Sequence, residues 1–110
     1  MIKKRIHIAS PAVGEEEWLA TKEVFESGWL TQGSKINEME SLFSSLHGVK
    51  NTIATTSCTT GLHLALAAMG VGPGDEVIVP SFTWVATANV VKHLGAKPIL
   101  VDVDPLTNNI

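Results

Sequence analysis

The sequence has little cysteine, few basic residues and no long apolar run, and each shortage excludes a class of protein. A single cysteine among 110 residues excludes an internal disulfide and is typical of a reducing compartment. Eight lysines and arginines against eleven acidic residues give a net charge of −3, so the chain lacks the basic surface that nucleic-acid or membrane-surface partners need. No apolar segment approaches the roughly 18 residues of a membrane helix, and no signal peptide is recognisable. We therefore expect a cytoplasmic protein with no nucleic-acid partner and no membrane partner.

Common cofactor and metal motifs are also absent. The sequence contains no G-x-G-x-x-G fingerprint and no lysine-bearing phosphate loop. His7, His47 and His93 are scattered without the spacing of metal ligands, so we predict no metal site. There is no internal repeat and no linker, and 110 residues make at most one domain. Any ligand site must therefore come from other elements of the sequence.

The first 50 residues predict two helices after an irregular lead-in. Pro11 and Gly14 break regular structure over residues 1–14. Three glutamates then open a helix, because negative charge complements the dipole at a helix start, and Gly28 ends it. After a short loop, apolar residues at spacings of three and four predict a second helix that ends at Gly48. We interpret residues 1–50 as a helical N-terminal segment.

From residue 51 the pattern changes to strand, helix, strand, helix, strand. The strands are predicted at Thr52–Thr56, Val77–Pro80 and Pro98–Val103, and the helices at residues 60–69 and 83–94. Apolar and polar residues alternate little in these strands, which is typical of parallel strands that helices cover on both faces. We therefore predict an α/β fold over residues 51–104, with three α/β/α layers and mostly parallel strands.

The turn after the first strand carries small and hydroxylated residues, Ser57-Cys58-Thr59-Thr60. Backbone N–H groups and hydroxyls at a helix start can hold a phosphate. The same residues can instead cap the helix, because serine and threonine are favoured N-cap residues. From these four residues alone, capping is the better-supported interpretation.

Other residues also allow a functional and a structural interpretation. Trp84, after the second strand, could stack on a flat ring at the sheet edge where ligands bind, although a tryptophan in a first helical turn is more often core. Cys58 could be a nucleophile, but no partner base is identifiable, which favours a small packing residue. His63 lies among leucines and is interpreted as a packed histidine. Asp102 and Asp104 could face a site or could be solvated acids at a strand end.

Five segments together point to one family. They are Gly28–Gly33, Thr56–Thr59 with Leu62–Leu66, Gly72–Pro80, Ser81–Thr87 and Val101–Pro105. In this order they resemble the amino-terminal part of the DegT/StrS family of pyridoxal-phosphate-dependent aminotransferases, which act on nucleotide-linked sugars. The resemblance covers nearly the whole chain.

The resemblance implies a fold and a set of site residues. The fold is the N-terminal part of the large domain of a fold-type-I transferase, with an incomplete sheet. In that family the first turn holds the phosphate of pyridoxal 5'-phosphate, and an aromatic residue after the next strand stacks on its ring. The residues implied at the cofactor are Ser57, Cys58, Thr59, Thr60, Trp84 and Thr87, and those implied at the substrate are Trp29 and Thr31.

The implied activity is transfer of an amino group from glutamate or glutamine to a keto sugar on a nucleotide carrier, by a homo-oligomer, expected to be a dimer. No catalytic residue is expected in this chain, because the family's Schiff-base lysine matches a position beyond Ile110. We therefore expect the chain alone to be inactive and, with open sheet edges, to associate. Two alternatives stay open: a dehydratase of the same family, and a non-catalytic binding or oligomerisation module.

Overall fold

Residues 7–110 divide after Lys50 into two units in the computed structural model of the chain. The predicted irregular lead-in falls partly on residues 1–6, which lie outside the described residues. Residues 7–14 form neither helix nor strand.

The first unit contains helix α1 (Glu15–Ser27) and helix α2 (Ser34–His47), which confirms both predicted helices. Gly14 precedes α1 in an extended conformation, and its N–H donates a 2.7 Å hydrogen bond to Oε2 of Glu17. This bond holds the pKa of Glu17 below its ordinary value, because the ionised carboxylate is the better acceptor. Gly28 ends α1 at φ 71°, a left-handed conformation that glycine adopts without strain.

The apolar side chains that predict these two helices are not buried. Neither α1 nor α2 has a buried residue, and Leu42 and Leu46 are 65% and 78% exposed. An ion-pair network joins the helices: Nζ of Lys35 lies 3.5 Å from the Glu23 carboxylate of α1 and 3.4 Å from that of Glu38. The carboxylates of Glu38 and Glu23 raise the pKa of Lys35. The first unit therefore has no apolar core among its described residues.

The second unit contains helix α3 (Cys58–Ala68), strand β1 (Glu76–Pro80), helix α4 (Ala86–His93) and strand β2 (Lys97–Val101). The two strands pair in parallel over their full length. Beyond β1, the Ser81 N–H donates a 2.8 Å hydrogen bond to the carbonyl of Val101. A strand, a helix and a parallel strand form the crossover unit of α/β proteins. The predicted α/β fold with parallel strands and an incomplete sheet is confirmed.

The apolar core of the second unit is small. The buried residues are Val79, Val90, Val91 and Ala96. Leu66 of α3 packs against three of these residues, Val79, Val91 and Ala96. Burial of a valine side chain contributes roughly 1.5–3 kcal/mol relative to exposure. On the strands, Ile78 and Leu100 are both 62% exposed. Part of the apolar surface of the sheet is therefore uncovered in this chain.

The strand predicted at Thr52–Thr56 is not formed. Residues 51–55 have no regular secondary structure, and the sheet among residues 7–110 contains only β1 and β2. A β-branched segment has strand propensity, but a strand exists only through hydrogen bonds to a neighbouring strand. The described second unit is therefore αβαβ rather than βαβαβ. Its helices also begin elsewhere than predicted, at Cys58 and at Ala86.

Candidate functional site

Ser57 and Thr60 cap the start of α3. Ser57 is the N-cap residue, and its Oγ accepts a 3.2 Å hydrogen bond from the Thr60 N–H. In return, Oγ1 of Thr60 accepts a 3.0 Å hydrogen bond from the Ser57 N–H, which completes a capping box. The Thr55 hydroxyl donates to the carbonyl of Ser57 at 3.0 Å. The hydroxyls of Ser57 and Thr60 are therefore committed to the helix start, in agreement with the capping interpretation.

Two backbone donors remain open at this same helix start. The N–H groups of Cys58 and Thr59, the first two residues of α3, have no partner among residues 7–110, and neither has the Thr59 hydroxyl. Such groups carry the partial positive charge of a helix N-terminus. The first turn of α3 contains no acidic residue. A bound anion would supply both the acceptors for these open donors and the negative charge that complements the helix dipole.

The Cys58 side chain does not pack into the fold. Its thiol is free and exposed. The interpretation of Cys58 as a small packing residue is therefore wrong, because none of the described elements covers the first residue of α3. Its exposed position leaves both its thiol and its backbone N–H accessible.

Trp84 lies in the turn between β1 and α4, and its side chain is 79% exposed. The interpretation of Trp84 as a core residue is therefore wrong, because α4 begins only at Ala86 and the indole precedes it. The turn itself is held: the Thr87 N–H donates a 3.0 Å hydrogen bond to the Trp84 carbonyl, and the hydroxyls of Thr83 and Thr87 are 3.3 Å apart. An exposed indole on a fixed turn can stack on a planar ring.

The structure places both predicted cofactor turns in the second unit. No hydrogen bond joins residues 57–60 to residues 81–87 in the described part of the chain. Trp29 and Thr31, the predicted substrate residues, lie in the first unit. The assignment of all these residues to a cofactor or a substrate stays a prediction.

Trp29 and Thr31 line a cavity of about 680 Å³ in the first unit. The Trp29 indole is fixed across the loop, because its Nε1–H donates a 2.9 Å hydrogen bond to the carbonyl of Gln32. A methyl group at Gly33 would lie 2.7 Å from Cδ1 of this indole, so the close approach requires glycine. The loop thus holds one aromatic side chain in a defined position at the cavity wall.

Replacing Gly33 with alanine is expected to displace the Trp29 indole and to break its hydrogen bond to Gln32. The indole ring is rigid, so a methyl group 2.7 Å from its Cδ1 can be accommodated only if the whole ring moves. The Nε1–H resonance of Trp29 in a proton–nitrogen NMR spectrum measures the change. Gly14→Ala is the matched control, because its methyl would meet only the flexible Glu17 carboxylate, at 3.6 Å. An unshifted Trp29 resonance in the Gly33→Ala variant contradicts the close approach.

Sequence reasoning misses one contact between titratable side chains. His63 of α3 and His93 at the end of α4 lie with their ring centroids 6.5 Å apart. The two residues are far apart in the sequence, and no local pattern shows which faces of two helices will pack together. His63 is half-buried, whereas His93 is exposed.

Neither a metal cluster nor a membrane span is found among residues 7–110. No group of three or more histidine, cysteine, aspartate or glutamate side chains is placed to hold a metal ion. None of the helices described has both the length and the hydropathy needed to cross a bilayer.

A sequence model of the DegT/DnrJ/EryC1/StrS aminotransferase family matches residues 11–110. The chain belongs to this family. The match extends over both units and includes every segment on which the resemblance was based. The predicted family is therefore confirmed.

The chain is similar to solved structures of family enzymes. TlmJ, an aminotransferase from Streptoalloteichus hindustanus, is 42% identical at a TM-score of 0.86, over 94% of this chain and 29% of that chain. Spr1654 from Streptococcus pneumoniae, assigned as a sugar aminotransferase, is 38% identical at a TM-score of 0.86, over 94% of this chain and 26% of that chain. A 3-amino-5-hydroxybenzoic acid synthase is 39% identical at a TM-score of 0.83, over 93% of this chain and 27% of that chain. These similarities confirm the prediction that the chain has the fold of the N-terminal part of a fold-type-I large domain. The chain spans about a quarter of the length of the structures it matches.

DegT/StrS aminotransferases use pyridoxal 5'-phosphate, and this chain matches Spr1654 in its PLP form and in its PMP form. The predicted cofactor is therefore confirmed for the complete enzymes of the family. The residues present also fit this group. The open N–H groups of Cys58 and Thr59 suit a phosphate dianion, and the exposed indole of Trp84 suits a pyridine ring.

Proposed function

We propose that this chain is the N-terminal portion of an aminotransferase that moves an amino group from glutamate or glutamine to a keto sugar carried on a nucleotide. Membership of the DegT/StrS family supports an aminotransferase, and the match to Spr1654 supports a sugar acceptor. The nucleotide carrier and the amino donor are part of the proposal. The enzyme is proposed to work as a homodimer in the cytoplasm, where Cys58 would stay reduced.

One observation carries the proposal: α3 begins with a complete cap and still presents two open N–H groups. Capping by Ser57 and Thr60 is internal, so a phosphate at Cys58 and Thr59 would not compete with it. A helix start with open donors stabilises a dianion through its dipole and through charge-assisted hydrogen bonds. Ser57 and Thr60 would thus position the phosphate site, and Cys58 and Thr59 would bind the phosphate.

Trp84 is proposed to lie against the ring of the cofactor. Its exposed face would exclude water from one side of the ring, and offset stacking adds roughly 0.5–1.5 kcal/mol beyond burial. Thr87 would hold the backbone of Trp84 in position, because its N–H donates a 3.0 Å hydrogen bond to the Trp84 carbonyl. The bound cofactor itself supplies the electron sink and the carrier of the amino group.

The substrate contacts are proposed for the cavity of the first unit. There Trp29 offers an aromatic face and Thr31 a hydroxyl, on a loop held by the Trp29–Gln32 hydrogen bond. Both groups suit a polar ring.

The full-length gene product is expected to convert a nucleoside-diphosphate keto sugar to the amino sugar when supplied with pyridoxal 5'-phosphate and glutamate. Equimolar 2-oxoglutarate should form, and mass spectrometry would detect both products. Residues 1–110 alone, assayed in parallel, should give neither product, because the family's Schiff-base lysine matches no residue among them. Product formation by residues 1–110 at the full-length rate contradicts the assignment of catalysis to the remainder of the enzyme.

The amino acceptor requires a test of its own. One similar structure is a 3-amino-5-hydroxybenzoic acid synthase, whose name refers to an aromatic acid rather than to a sugar. The assay should therefore include a cyclic unsaturated keto acid as well as the keto sugars. Turnover of the cyclic keto acid alone would support the proposed aminotransferase activity and contradict the proposed sugar acceptor. Loss of water from the sugar without gain of nitrogen would instead support a family dehydratase.

A further inference from the structure

The carbonyl oxygen of Ser57, the N-cap residue of α3, accepts hydrogen bonds from three donors. The Gly61 N–H donates at 3.0 Å, which is the first backbone bond of the helix. The Thr60 hydroxyl donates at 2.8 Å and the Thr55 hydroxyl at 3.0 Å. Gly61 and Thr60 belong to α3, whereas Thr55 precedes the helix. Thr55 therefore ties the segment before α3 to the start of the helix.

The Ser57 carbonyl and the Cys58 N–H are parts of one peptide group. This group is trans and planar, so its C=O and its N–H point in opposite directions. The carbonyl points into the helix, toward the Gly61 N–H, and the Cys58 N–H therefore points out of the helix start. A donor that fixes the direction of the carbonyl also fixes the direction of this open N–H.

Hydrogen bonds to the Ser57 carbonyl also strengthen the Cys58 N–H as a donor. Each bond draws electron density toward the carbonyl oxygen and leaves the amide hydrogen of the same peptide more positive, so linked hydrogen bonds polarise one another. The Thr55 hydroxyl therefore acts on both the direction and the strength of the Cys58 N–H.

Gly61 leaves the space that the Thr55 hydroxyl occupies. Outside α3, the one atom among residues 7–110 that a methyl group at position 61 would approach within 4 Å is Oγ1 of Thr55, at 3.1 Å. Such a contact is tighter than nearly all real ones, so alanine at position 61 would push the hydroxyl away from the Ser57 carbonyl. Glycine is a poor helix former, and this close approach gives a physical reason for its presence inside α3.

We propose that Thr55 is a positioning residue of the phosphate site: through the Ser57 carbonyl, its hydroxyl directs the Cys58 N–H at the cofactor phosphate, and Gly61 makes room for that hydroxyl. The inference rests on the proposed function, in which the phosphate binds at Cys58 and Thr59. It gives a role to two residues that do not themselves contact the cofactor.

Binding of pyridoxal 5'-phosphate and of pyridoxal, which lacks the phosphate, tests this role. Equilibrium dialysis against the full-length apoenzyme measures both affinities, and their ratio isolates the contribution of the phosphate. Thr55→Ala should weaken the binding of pyridoxal 5'-phosphate about three- to tenfold, the effect of one hydrogen bond, and leave the binding of pyridoxal unchanged. Thr55→Ser keeps a hydroxyl at this position and should restore the wild-type ratio.

Gly61→Ala tests the coupling between the two residues. It should weaken the binding of pyridoxal 5'-phosphate by a similar factor when Thr55 is present, and should have no further effect in the Thr55→Ala background, where the displaced atom is gone. A full effect in both backgrounds contradicts the role of Gly61.

Thr21→Ala is the matched control for Thr55→Ala. The Thr21 hydroxyl also donates to a backbone carbonyl, that of Glu17 at 2.8 Å, but it does so within α1 of the first unit. The variant should leave both affinities unchanged.

An unchanged ratio in Thr55→Ala overturns the inference. A Thr55→Ser variant that fails to restore the ratio also overturns it, because the hydroxyl is then not the group that acts. Equal loss of affinity for both ligands, or loss of helicity in far-ultraviolet circular dichroism, would make Thr55 a residue of the fold alone. A wild type that binds pyridoxal 5'-phosphate no more tightly than pyridoxal refutes the phosphate site of the proposed function itself, whereas failure of the inference alone leaves that preference intact.

Discussion

Replacing Cys58 with proline is expected to weaken the binding of pyridoxal 5'-phosphate roughly ten- to 150-fold. A hydrogen bond to a charged group is worth about 1.5–3 kcal/mol, and proline removes the N–H that would donate one to the phosphate. The helix itself should survive. Cys58 is the first residue of α3, where proline is favoured, and Ser57 before it is extended at φ −161° and ψ 163°, as a residue preceding proline must be.

Cys58→Ala is the control for this variant, because it removes the thiol and keeps the N–H. Equilibrium dialysis of the cofactor against the full-length enzyme measures both affinities, and far-ultraviolet circular dichroism checks that α3 is intact. Alanine should bind the cofactor as the wild type does. If alanine weakens binding as much as proline does, the thiol is the contact and the backbone donor is not. Wild-type affinity in the proline variant would mean that the cofactor phosphate does not bind at the start of α3.

How far the sequence predicts this site depends on whether a residue acts locally. Capping by Ser57 and Thr60 is local and follows from their spacing alone. Capping and phosphate binding use the same residue types, so the sequence could not decide between them. The structure separates the two sets of atoms: side-chain oxygens cap the helix, and the next two backbone N–H groups stay open, which leaves phosphate binding there a proposal.

Exposure and long-range contacts are harder to predict. The interpretations of Trp84 and Cys58 as packed residues are both wrong, because packing depends on which elements cover a turn and not on its composition. The contact between His63 and His93 depends on how α3 meets α4, and no local pattern encodes that geometry.

The fold shows the same division between local and distant determinants. Glutamates at the start of α1 and glycines after α1 and α2 mark the helix ends correctly, because caps and dipoles act within one turn. The β-branched segment at residues 52–56 is not a strand, because its partner must come from elsewhere in a sheet. β1 and β2 form because each is the partner of the other.

Replacing Val91 with aspartate is expected to unfold the second unit. Val91 is 1% exposed and belongs to a cluster with Val79 and Ala96, and among residues 7–110 no charged side chain is buried that could pair with a carboxylate there. A domain of this size has a free energy of unfolding of only about 3–9 kcal/mol. An unpaired buried charge costs at least several kcal/mol, and the core has few other buried residues to compensate.

Val85→Asp is the matched control, because it makes the same substitution at the other end of α4. Val85 is 62% exposed, and a carboxylate at a helix start complements the dipole there. Urea unfolding followed by circular dichroism should show a wild-type-like midpoint for Val85→Asp and no cooperative transition from the second unit for Val91→Asp. Equal midpoints for the two variants would mean that this valine cluster does not hold the unit together. The stability of Val91→Ala should lie between those of Val85→Asp and Val91→Asp, because alanine leaves a cavity without burying a charge.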